Sequence, residues 1–165
     1  MGDLQPWEDP DDLLEALYKL GEQTRGQAGG AELTKTVAAL LDHEDEDIRQ
    51  EALRLLLVQW KVQDVRDQAV ELLRLDSSEA VRGTAAYGIA ATSTSATHRD
   101  DVRTLLGILV DETQPVHVRG AAYKALLIIH RRAEFPPMTR NLDPDTDVDW
   151  QWIRTLQKDV TASGA

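Results

Sequence analysis

The side chains able to carry chemistry are thinly scattered along the chain. His43, His98, His117 and His130 stand far apart, and none has another histidine four residues on, the spacing that would let one helix face hold a metal. Cysteine is absent, which excludes a disulfide framework and a thiolate zinc site and favours a reducing, cytoplasmic setting. Carboxylates are plentiful. Asp143, Asp145, Asp147 and Asp149 alternate, and Glu44 to Asp47 form an unbroken acidic run. A calcium loop of the EF-hand kind needs glycine at its sixth position and an acidic residue at its twelfth. Counted from Asp143, those positions hold Val148 and Arg154, so the spacing fails. The alternating run reads instead as a proline turn leading into a helix N-terminus. The sequence also lacks GxGxxG, a GKS/T phosphate loop, HExxH and GxSxG. No catalytic constellation, metal or cofactor is expected.

Charge narrows the partners. The 165 residues carry a formal net charge of -11, which repels nucleic acid and attracts basic partners. The charge is uneven: residues 98–133 hold six basic against four acidic residues, while both ends are acidic. The opening MGDLQPWEDPDD has no apolar stretch, so no signal peptide is expected. No apolar run approaches the roughly 18 residues of a membrane-spanning helix.

The elements that position these side chains come from a repeat. LLDHEDEDIRQEAL from Leu40, LLRLDSSEAVRGTAA from Leu72 and ILVDETQPVHVRGAA from Ile108 align. Each passes from the apolar end of one helix through an acidic turn to a β-branched residue and an arginine. The arginines are Arg49, Arg82 and Arg119. An alanine follows three residues later (Ala52, Ala85, Ala122), and an apolar residue seven later (Leu56, Ile89, Leu126). Those positions share one helix face, and the alanine allows close helix approach.

This pattern resembles the HEAT-like repeats also found in phycobilin lyases, over residues 33–132. The resemblance implies an all-α, right-handed solenoid of about four helix pairs. It also implies a ladder in which turn aspartates, here Asp42, Asp76 and Asp111, pair with the repeat arginines between adjacent repeats. The aspartates stand seven, six and eight residues before their arginines, so the pairing itself stays open.

The chain reads as one domain, residues 1–165, with repeats over about 31–132. Helices are expected at 10–23, 31–42, 46–61, 64–75, 78–92, 98–111, 115–132 and 147–160, the first and last acting as caps. Gly21 to Gly30 is a glycine-rich loop, and Glu134 to Asp145 is a proline-stiffened connection. Trp150 and Trp152, two apart, should face nearly opposite ways, one sealing the last repeat and the other more exposed. Trp7 has no assigned place.

At about 100° per residue, the direction opposite the core falls five residues after each repeat arginine. Those residues are Arg54, Tyr87 and Lys124. With Lys61 and Arg131 in phase and Trp60 nearby, they predict a mildly basic, exposed stripe on the concave side, with Tyr87 at its centre. The functional expectation is a macromolecule-binding module that uses this groove: an adaptor, a scaffold or an inhibitor of the immunity-protein kind, with another protein as partner. Neither a membrane nor nucleic acid is the expected partner. The competing expectation is a HEAT-like enzyme, such as an alkylated-base DNA glycosylase or a lyase-type subunit.

Overall fold

Several helices open on a side-chain cap. The computed structural model of the chain describes residues 9–132 and 142–162. Helix α1 (Pro10–Gln23) opens where the Asp9 carboxylate accepts the Asp11 N–H, with Pro10 in the first turn. Helix α2 (Ala31–Ala39) tightens into a 3₁₀ turn at Leu40–Asp42. Asp45 caps α3 (Glu46–Leu53) by accepting from Asp47 and Ile48 N–H, and α3 runs on as a π-helical stretch, Arg54–Gln59. Helix α4 spans Arg66–Leu75. Ser78 Oγ accepts the Val81 N–H at the start of α5 (Glu79–Thr92). Helices α6 (His98–Val110) and α7 (Val116–Ile129) come next. Pro115 stands just before α7 rather than in its first turn, because its ψ of 143° is extended. A short α8 (Pro144–Asp147) and the terminal α9 (Trp150–Ala162) complete the set. The expected helices are present, with the short α8 added. No strand occurs among the described residues. Trp7 and residues 134–141 of the proline-bearing stretch lie outside them.

Stacking makes this an all-α solenoid. The inner helices α3, α5 and α7 pack in sequence, while α4 packs on α5 and α6 on α7. Helix α1 covers α3 at one end, and α8 on α7 and α9 on α6 cover the other. Ala52, Ala85 and Ala122 are fully buried, as are Leu56, Ile89 and Leu126. Each of those large side chains contributes roughly 1.5–3 kcal/mol by leaving water.

The turns are tied together by arginines. Arg49 grips Asp76 of the next repeat with both prongs, Nε to Oδ2 at 2.8 Å and Nη2 to Oδ1 at 2.9 Å. Its remaining nitrogen donates to the carbonyls of His43 and Glu44. Arg82 donates to Leu73 O and to Gln114 Oε1, and Gln114 Nε2 in turn donates to Asp111 Oδ2 at 2.7 Å. The longer third turn thus inserts an amide between arginine and aspartate. Arg119 donates to Leu109 O, and Asp42 accepts from Gln68 Nε2 at 3.1 Å. A second cross-link was not legible in the repeat: Arg66 pairs with the fully buried Asp101, joining α4 to α6.

Candidate binding surface on the inner helices

Tyr87 lies half-buried on the inner face of α5, in a notch of about 410 Å³ between α3, α5 and α7. Its floor is made of small residues: Ala80, Gly83, Gly120 and Ala121 line it. A Cβ at Gly83 would stand 3.6 Å from that of Ala121, which shows how closely α5 and α7 approach. Gln50, Glu79, Thr84 and His117 supply polar groups. Burial pushes the Tyr87 hydroxyl pKa up, so it stays a neutral hydrogen-bonding group at physiological pH.

The basic stripe expected beside Tyr87 is arranged differently. Arg54 donates to both oxygens of Glu51, at 2.7 and 2.6 Å, and to Gln59 Oε1 at 3.3 Å. Its pKa is raised, first by the hydrogen bond to Glu51. Helix α1 packs on it, since a Cβ at Gly21 would stand 2.7 Å from its guanidinium. Its charge is therefore matched inside the fold. Lys124 does line the notch, but it is buried at 3% exposure, not exposed as the helix phase predicts. The chain after α7 folds back onto this helix, and the Leu142 carbonyl comes within 2.6 Å of where a Gly120 Cβ would be.

Three further assignments also shift. Trp60 is buried at 5% exposure, under the loop after α1. Its indole N–H donates to Thr24 Oγ1 at 3.0 Å, and its ring lies against Gly29. It is part of the core rather than of the groove. Lys61 and Arg131 are exposed but occupy left-handed backbone, φ 58° and 51°, at the ends of their helices. There the chain reverses: Val62 N–H donates to Leu56 O and Arg132 N–H to Leu127 O, closing the two C-termini.

Sequence reasoning missed a cluster at the C-terminal end. Trp152 meets Tyr123 and His130 edge-on at centroid distances of 6.0 and 5.5 Å, and His130 meets His98 at 5.2 Å. The Arg132 guanidinium lies 4.6 Å from the Trp152 ring and 3.5 Å from Asp149. Asp149 N–H donates to Tyr123 Oη, and Trp150 Nε1 donates to Pro144 O. Both C-terminal tryptophans are thus half-buried against the core, and neither is the exposed partner of a buried one. The contributors come from separate elements, so no spacing announced them. Asp143 and Asp149 serve as helix caps, accepting from Asp145 and Trp152 N–H respectively.

Family comparison agrees with this architecture. A profile describing HEAT repeats matches residues 33–126, more than half of the chain. The chain belongs to the HEAT-repeat family. No curated protein and no solved structure gives a significant match. As HEAT repeats, the units are α2–α3, α4–α5 and α6–α7, and the Tyr87 notch lies on the inner helices of all three. No described helix is long and apolar enough to cross a membrane. No group of three or more possible metal ligands occurs among the described residues.

Proposed function

We propose that this HEAT-repeat chain is a protein-binding module, acting as an adaptor, scaffold or inhibitor, which seats a partner segment in the notch around Tyr87. The observation that carries this reading is the half-exposed aromatic ring beside small residues, with the polar side chains of Gln50, Glu79, Thr84 and His117 around it. An aromatic anchor beside close-packed glycine and alanine suits a partner backbone or side chain. HEAT solenoids present extended concave surfaces of this kind. A base-excising enzyme would need an exposed cationic cleft for duplex DNA. Here Arg54 is matched by Glu51 and Lys124 is buried, which favours a protein partner.

The test is site-specific photo-crosslinking in the host. A benzophenone amino acid replaces Thr84 in the notch or, as a control, Lys19, which is exposed on α1. A discrete adduct at Thr84, absent at Lys19 and lost on Tyr87→Ala, is expected. Equal labelling at both positions would move the binding surface elsewhere.

A further inference from the structure

Large apolar side chains exposed among the described residues are Tyr18, Leu75, Val110 and Val116, and three of these share one edge of the solenoid. Leu75 ends α4, Val110 ends α6 and Val116 opens α7, so all flank the turns that join outer to inner helices. Leu75 and Val110 hold the same place in their repeats, just before Asp76 and Asp111. In the first repeat that place is Leu41, which is fully buried. The row is therefore sealed at one end and open along the next two repeats. Leu75 is 76% exposed and forms the wall of a notch of about 390 Å³ with Gln68, Glu71 and Leu72. Single exposed apolar residues are ordinary on a protein surface; a row in repeat register is not.

The surrounding charge names the occupant. Glu44, Glu46, Asp47, Glu71 and Glu112 lie on the helix ends and turns of this edge, are exposed, and enter no ion pair among the described residues. The repeat arginines of the same turns point inward into the ladder. Against these five carboxylates stands Arg74 as the exposed basic side chain of α4, while His117 of α7 lines the Tyr87 notch. An apolar row framed by carboxylates that outnumber the exposed cations complements a segment with apolar side chains flanked by lysine or arginine.

We propose that this turn edge is a second docking surface, separate from the Tyr87 notch, and that it takes a basic amphipathic segment of a partner protein whose apolar side chains cover Leu75, Val110 and Val116. The carboxylates attract and orient the segment, and the apolar row holds it.

The full chain can be titrated into a fluorescein-labelled lysine–leucine peptide patterned as an amphipathic helix, and into a lysine–serine peptide of equal charge. Binding by anisotropy is expected for the lysine–leucine peptide, with affinity falling about tenfold in the double variant Leu75→Ser/Val116→Ser. Glu71→Lys/Glu112→Lys should weaken it as well, and Tyr18→Ser, which removes the exposed ring remote from this edge, should not. Because the substituted side chains are exposed, thermal melts of all variants should stay close to the parent; a variant that melts early is replaced by the charge-reversal pair as the readout. Equal binding of the lysine–serine peptide would reduce the edge to general charge attraction and overturn the proposal, as would an equal loss in Tyr18→Ser. Sedimentation showing self-association of the parent that Leu75→Ser abolishes would also overturn it, by making a second copy the occupant.

Discussion

Gly88 of α5 lies directly against Leu57 of the preceding inner helix: a Cβ added to it would stand 2.6 Å from Leu57 Cδ1 and 2.8 Å from Leu57 Cβ. The second contact is to the root of the side chain, which cannot swing aside. The two inner helices can pack this tightly here because the residue has no side chain.

Gly88→Ala should therefore destabilise by about 1–3 kcal/mol through overpacking, more than the roughly 1 kcal/mol that alanine gains over glycine in a helix. Gly107, exposed in α6 with open space around it, gives the opposite sign. Gly107→Ala should stabilise by about 0.5–1 kcal/mol. Urea melts of the pair check this, and a shared sign would remove packing as the reason.

The Arg49–Asp76 pair predicts an acid response. Burial alone would raise the Asp76 pKa, but hydrogen bonds from Arg49 and from Ser78 N–H outweigh it and hold the carboxyl below the usual aspartate range. A depressed folded pKa gives stability that is present above the ordinary value near 3.8 and is lost as pH falls through the lowered one. Asp76→Ala should cost about 3 kcal/mol at neutral pH, because it strands Arg49. The gap between parent and variant should close as the pH is taken from 3.8 down through the lowered Asp76 value. A gap that stays constant across that range would show that the ion pair is not its source.

His130 predicts a response nearer neutrality. Burial lowers its imidazole pKa, and repulsion from His98 and Arg132 lowers it further. The folded state then binds fewer protons than the unfolded chain, so stability is fully present above the ordinary value of 6.5 and falls as pH drops through it toward the lowered value. Melting temperatures of the parent should decline between about pH 7 and pH 5, and His130→Gln should decline less. Parallel declines would assign the effect to other groups.

Lys124→Glu should lose stability by about 3 kcal/mol, because position 124 is buried and a carboxylate there replaces an engaged ammonium. Tyr87→Ala, at a half-buried site, should melt closer to the parent while abolishing capture of the partner. Affinity of that partner at low and high salt should differ little, since the Arg54 charge is matched by Glu51. A steep salt dependence would restore charge as the basis of recognition in the notch.

The repeat was legible because its signals are local. An acidic turn, an arginine, and apolar residues three and seven further on define a helix face, and Ala52, Leu56 and their counterparts are buried as that face requires. Projection fails where the chain leaves the regular α-helix. Between Arg54 and Gln59 the bonding becomes i to i+5, and Trp60 N–H donates to Leu55 O, so a rotation of about 100° per residue no longer places Trp60 and Lys61. Lys124 departs from its projected place for another reason: it is buried by a non-periodic return of the chain near Leu142. The Trp152 cluster draws on α6, α7 and α9, and no local spacing encodes a meeting of three elements.

The two seams of the ladder are chemically unlike. Between the first and second repeats a carboxylate faces its arginine directly, so acid removes charge from the joint itself. Between the second and third, the Gln114 amide stands in between. An amide has no proton to gain in acid, and its oxygen still accepts from Arg82 when Asp111 is neutral. Of the two ladder joints, only the first rests on a carboxylate that touches its arginine, so only there does acid discharge the contact that ties one turn to the next.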